Sequence, residues 1–261
     1  MTTKTDSALE FYKQGKYKEA IDVFSTILEH NEENAEVYNN MGLCYSKLND
    51  FEQAERAYTK SIELNPAIPQ AYINLSDLYY KNNDLAAAIG TLEKGTYEME
   101  ENTVLAHMLA RVYSEDCRYD MAIVELEKVL DAEPENYDAY YDLGKIFFEL
   151  GDYESAIANF ENVIEYKENN EFLYYYLAQA YEGNNEIDKA ISNYLKAITV
   201  NTKFAIAYKK LGILFLARND FEDALEYFGD YLNLDIPQEE KDNVNKLIER
   251  IKAKLWKQNI G

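Results

Sequence analysis

Proline and glycine are both scarce, at 4 and 10 of 261 residues. A chain this poor in helix breakers and rich in Ala, Leu, Glu, Lys and Tyr is expected to form helices joined by short turns. Cysteine is scarcer still. Cys44 and Cys117 lie far apart and fit no metal-ligand or redox spacing, which excludes a disulfide framework and reads as two free thiols in a reducing cytoplasm. No apolar run is long enough to span a bilayer, and the first residues, Met1 to Ser7, contain no apolar signal core. A soluble cytoplasmic protein without membrane insertion is therefore expected. Histidine is limited to His30 and His107, neither with a triad or metal motif around it, and no glycine-rich phosphate loop is present. No catalytic residue, metal or cofactor is assigned, and an enzyme is not expected. Positive charge is also short: the net charge of -22 repels a phosphate backbone, so nucleic acid is not an expected partner.

What the chain does contain is a period. Ala20, Ala54, Ala88, Ala122, Ala156, Ala190 and Ala224 stand 34 residues apart. Twelve residues before each is a second small residue: Ala8, Gly42, Ser76, Ala110, Gly144, Ala178 and Gly212. Nine residues before each is an aromatic (Phe11, Tyr45, Tyr79, Tyr113, Phe147, Tyr181, Phe215). Four residues after each is a bulky apolar residue or tyrosine (Phe24, Tyr58, Leu92, Leu126, Phe160, Tyr194, Phe228). Small residues let two helix backbones approach, and a large one beside them fills the remaining space. Each period thus reads as a close-packed pair of helices. In the fifth, one helix runs through residues 139–148 to a turn at Leu150-Gly151-Asp152, and a second follows from Tyr153 to about Tyr166. Pro66 and Pro134 close two of the second helices.

The spacing resembles the tetratricopeptide repeat, best in the second period, where Tyr38, Met41, Gly42, Tyr45, Ala54, Tyr58 and Pro66 occupy the pattern. The resemblance implies an all-α, right-handed α-α superhelix. Seven repeats are expected at 1–34, 35–68, 69–102, 103–136, 137–170, 171–204 and 205–238, with an amphipathic capping helix over 239–261. In that cap Val244, Leu247, Ile248, Ile251 and Leu255 recur at helical spacing, and Trp256 is expected to anchor it. The third repeat departs most, with Gly90 and Gly95 in its second helix. They read either as a hinge or, at Gly95, as room for a close helix approach.

In the resembled family the first helix of each repeat lines a groove, at the second, fifth, ninth and twelfth residues. In repeat five these are Asp138, Tyr141, Lys145 and Phe148. In repeat six they are Phe172, Tyr175, Gln179 and Glu182, and in repeat seven Ile206, Lys209, Ile213 and Leu216. The packing pattern does not require Tyr141, Phe148, Phe172, Tyr175, Ile206 or Ile213 to be apolar, so they are candidate anchors for a protein or peptide partner. Asn40 and Asn74, at the sixth residue, resemble the start of an asparagine ladder that reads a peptide backbone. Lys209 could begin a carboxylate clamp, but Ile213 stands where that motif needs asparagine. The expected function is a scaffold or adaptor holding a partner's peptide or helix. The alternative is a homo-oligomeric platform, and coverage of the groove by the cap or a second copy also stays open.

Overall fold

The computed structural model describes residues 4–30, 34–166 and 169–260. These hold fifteen α-helices, and among the described residues there is no strand. They form two compact units, Met1–Ala139 and Tyr140–Gly261.

The first unit contains α1 (Lys4–Lys13), α2 (Tyr17–Leu28), α3 (Ala35–Lys47), α4 (Phe51–Leu64), α5 (Pro69–Lys81), α6 (Leu85–Glu98), α7 (Thr103–Glu115) and α8 (Tyr119–Ala132). Each odd-numbered helix packs on the even-numbered helix after it, which in turn packs on the next odd one. The second unit contains α10 (Tyr153–Ile164), α11 (Glu171–Gly183), α12 (Ile187–Val200), α13 (Ala205–Arg218), α14 (Phe221–Leu232) and α15 (Gln238–Ile260), stacked in the same way, and most of α9 (Tyr137–Glu149). Pro66 and Pro134 fall just beyond α4 and α8, as their missing amide donor requires.

The packing shows why the period is readable. All seven periodic alanines are fully buried, and so are their bulky partners four residues on. At three of the small positions the missing side chain is filled by that partner's ring. A Cβ on Gly42 would lie 2.5 Å from Tyr58, one on Gly144 2.6 Å from Phe160, and one on Gly212 2.7 Å from Phe228. The periodic aromatics also tie neighbouring pairs together. Tyr79 donates its hydroxyl to Glu55 (2.6 Å), Tyr113 to Glu93 (2.7 Å) and Tyr181 to Glu161 (2.5 Å), each joining a first helix to the second helix before it.

The turn inside each helix pair has its own period, which sequence reading noticed only at Gly151. Gly15, Asn49, Asn83, Cys117, Gly151, Asn185 and Asn219 all have φ between 57° and 76° and stand 34 residues apart. Glycine and asparagine tolerate this left-handed backbone; Cys117 is the exception. Of the two third-repeat glycines, Gly95 abuts the Tyr72 ring, where a Cβ would lie 2.9 Å away, so its smallness serves packing. A Cβ on Gly90 would meet nothing within 4 Å.

The stripe of α15 packs as its spacing implies, with Val244 and Ile251 buried among Phe221, Phe228 and Tyr231, and Leu247, Ile248 and Leu255 alongside. Trp256 does not anchor it. The ring is 65% exposed, because the position after Leu255 turns away from the buried stripe.

Candidate binding face of the second unit

The helix α11 centres the site. The Asn170 side chain caps it, accepting from the Phe172 and Leu173 amides, and so fixes the first turn. Leu173, Tyr174, Leu177, Ala178 and Tyr181 are then buried, which turns Phe172, Tyr175 and Tyr176 to the opposite side. Phe172 is 52% exposed; Tyr175 and Tyr176 are half-buried.

Tyr176, which the groove positions had not included, is the hub. Its ring centroid lies 6.3 Å from Tyr141, 6.1 Å from Phe148 and 5.9 Å from Tyr175. It also stacks at 6.1 Å on buried Phe160, the ring seated against Gly144. Phe204, at the start of α13, was likewise missed: it meets Phe172 at 5.2 Å and Tyr175 at 5.5 Å, both edge-on. Tyr141, Phe148, Phe172 and Tyr175 are therefore brought into one sheet of rings through two residues whose only signal was the Tyr174-Tyr175-Tyr176 run and an aromatic just before α13. Ile206 and Ile213 are 45% and 44% exposed on α13. Burial pushes the Tyr141 hydroxyl up to about 12, helped by nearby Tyr176 and Asp142, and raises Tyr175 in the same direction. Both present neutral phenols, and the ring arrangement suits apolar and aromatic contact.

Two lysines of α13 are already engaged. Lys209 pairs with Glu240 of α15 at 2.6 Å, and Glu240 also accepts from Tyr231 at 2.8 Å; these two donors hold its carboxyl below the usual range. Lys210 pairs with Glu182 at 3.0 Å, and Glu182 accepts the Tyr194 hydroxyl as well. Lys209 is thus occupied by the cap and is not a free clamp cation.

In the first unit, buried Asn74 donates to Asn39 at 3.0 Å and accepts from Gln70 at 2.9 Å. Residues 39 and 74 are one period plus one residue apart, so the pair forms on a diagonal between α3 and α5. Asn40 is half-buried beside it. Among the described residues no group of three or more His, Cys, Asp or Glu side chains is arranged to hold a metal ion, and no helix is long and apolar enough to cross a membrane.

Tetratricopeptide-repeat family models match residues 35–67, 57–90, 113–158 and 175–238, and a TPR-repeat model matches 8–49 and 144–185. The chain belongs to the tetratricopeptide-repeat family. Its fold is accordingly the all-α superhelical repeat class. Proteins of this family generally mediate protein–protein interaction, and the repeat fold is typically a non-enzymatic scaffold. Similar solved structures include the C-terminal part of a TPR repeat-containing protein from Cytophaga hutchinsonii. It is 19% identical with a TM-score of 0.75, and the match covers 91% of this chain and 98% of that one. YrrB, described as a TPR protein with an unusual peptide-binding site, is 24% identical with a TM-score of 0.61, covering 70% and 95%. MamA is 25% identical with a TM-score of 0.59, covering 67% and 95%. No curated protein matches the sequence.

Proposed function

We propose that this tetratricopeptide-repeat protein is a non-enzymatic cytoplasmic scaffold of seven repeats and a cap, and that it holds an apolar or aromatic peptide segment or helix of a partner on the ring face of α9, α11 and α13. The observation that carries the reading is the connected sheet of Tyr141, Phe148, Phe172, Tyr175, Tyr176 and Phe204, part of it exposed although repeat packing does not require it. Rings held by one another and by buried Phe160 lose little conformational freedom when a ligand arrives, which favours affinity. Lys209 and Lys210 of α13 are paired internally, and the rings supply apolar anchors for the recognition. The peptide-binding site ascribed to YrrB is in keeping with this reading.

The test begins with a partner recovered from native extract and then purified. Its affinity is measured for wild type and for Phe172→Ala combined with Tyr175→Ala, after both show equal helicity. Loss of two anchors is expected to weaken binding by about thirtyfold or more. Equal affinity would remove the ring face from the interaction.

A further inference from the structure

Gly90 departs from the period, and no contact inside the chain accounts for it. Asp22, Arg56, Val124 and Glu226 stand at the same place in other repeats, so the fold accepts a side chain there. Gly90 lies exposed in the middle of α6, without a positive φ, and a Cβ on it would meet nothing within 4 Å. Glycine weakens a helix interior, and the use left for it here is to let another backbone or a ligand come close. Gly90 borders a cleft of about 340 Å³ whose floor is α5 and whose walls are α4 and α6. Ile62, Leu75 and Ala87 give the cleft an apolar lining.

The same cleft holds an unanswered donor. Tyr72 is fully buried in its lining, and its hydroxyl has no hydrogen-bond partner among the described residues. Gly95 of α6 seats the base of the ring, at Cβ and Cγ, and leaves the hydroxyl end beyond that contact. Burial, and then nearby Glu98, hold the phenol above its ordinary value, so it stays protonated and can donate. A buried hydroxyl without a partner is costly, and a carbonyl oxygen brought by a ligand would satisfy it. Other hydroxyls of the lining are already used: Tyr79 donates to Glu55, and Thr91 to the Ala87 carbonyl. Glu63 lines the cleft from α4 and Lys94 from α6, with Glu98 near Tyr72, so a charge of either sign meets a like charge. The lining therefore suits a neutral apolar group that carries a carbonyl.

A peptide supplies such a group and has room to continue. One period on, a cleft of about 500 Å³ uses the equivalent positions Thr96, Leu109, Tyr113 and Lys128 between α6 and α8, so the two clefts share α6 as a wall. Gly90, Lys94 and Tyr97 recur at helical spacing on one face of α6, and Gly90, lacking a side chain, is the lowest of the three. We propose that the cleft between α4 and α6 binds an apolar residue of an extended peptide segment, its side chain among Ile62, Leu75 and Ala87, its carbonyl accepting from Tyr72, and its backbone crossing α6 at Gly90 toward the second cleft. The site uses no residue of the ring face and stands apart from that reading.

Amide NMR of the full chain tests this, with acetyl-Ala-Ala-Leu-Ala-Ala-amide as the probe. Wild type is expected to show saturable shifts at Gly90, Thr91 and Lys94, with a dissociation constant on the order of 1 mM, the affinity that one anchored residue supplies. The same peptide with aspartate in place of leucine should bind about tenfold more weakly or worse. Tyr72→Phe removes the donor and should weaken binding about three- to tenfold without lowering the melting temperature. Gly90→Leu fills the cleft and should abolish the shifts, again without a lower melting temperature. No saturable shift, or a Tyr72→Phe or Gly90→Leu variant that binds as wild type does, would overturn the proposal. So would shifts confined to Phe172 and Tyr175, which would place the peptide on the ring face. Acetyl-leucine methylamide binding as tightly as the peptide would overturn it too, because the ligand would then be a small amide and not a chain.

Discussion

Gly144 and Gly90 are both helical glycines, yet the same substitution should act on them in opposite directions. A Cβ at 144 would press into the Phe160 ring, so Gly144→Ala should lower stability by about 1–3 kcal/mol through overpacking. Gly90 is exposed with open space at its Cβ position, so Gly90→Ala should raise stability by roughly 0.5–1 kcal/mol through backbone entropy. Thermal melts of the two variants check the pair of signs. Cys117 holds a left-handed conformation that costs a side-chain-bearing residue roughly 1–2 kcal/mol. Cys117→Gly should therefore move the urea midpoint upward, by an amount equivalent to roughly 1 kcal/mol after the added chain entropy is counted. Buried Cys44, whose thiol burial pushes up to about 11, should stay unreactive to alkylation in the folded protein while Cys117 labels. The close-packed small positions were legible because volume repeats as residue type. The left-handed positions were harder to see, since glycine, asparagine and cysteine share a backbone angle and not a size.

At the scale of the element, α15 has two faces with separate consequences. Its inner stripe covers Phe221, Phe228 and Tyr231, which would otherwise leave the second unit with an open apolar end. Ile251→Ala should cost about 2–5 kcal/mol if the site cannot collapse, read as a lower melting temperature. The stripe was visible at helical spacing in the sequence. The position of Trp256 was not, because one residue of rotation past Leu255 separates a buried ring from an exposed one. The same limit applies to α11, where the candidate positions named Phe172 and Tyr175 but passed over Tyr176. Its importance comes from contacts with α9 and α10, and those depend on the packing of three helices rather than on its place in one.

Across the whole molecule the tyrosines whose hydroxyls are raised by burial and by carboxylate partners make stability sensitive to alkali. Burial, then the hydrogen bond to Glu55, raises Tyr79 to about 12; the same causes raise Tyr113 with Glu93 and Tyr181 with Glu161. A phenol whose value is higher in the folded state favours folding fully below its ordinary value, and this contribution is lost as pH rises from there through the folded value. The melting temperature should therefore fall between about pH 10 and about pH 12, together with the appearance of tyrosinate absorbance. Tyr79→Phe, Tyr113→Phe and Tyr181→Phe combined should flatten that fall. By itself the sequence determined the helices, their pairing and the family, because small and large residues at fixed intervals permit one kind of close contact and local volume is carried by residue type. Tertiary structure alone decided that Asn74 meets Asn39, that Lys209 belongs to Glu240, and that Tyr176 joins the rings. Those partners lie on separate helices, and whether their polar atoms or ring faces meet depends on helix rotations of a fraction of a turn that a spacing of 34 does not specify.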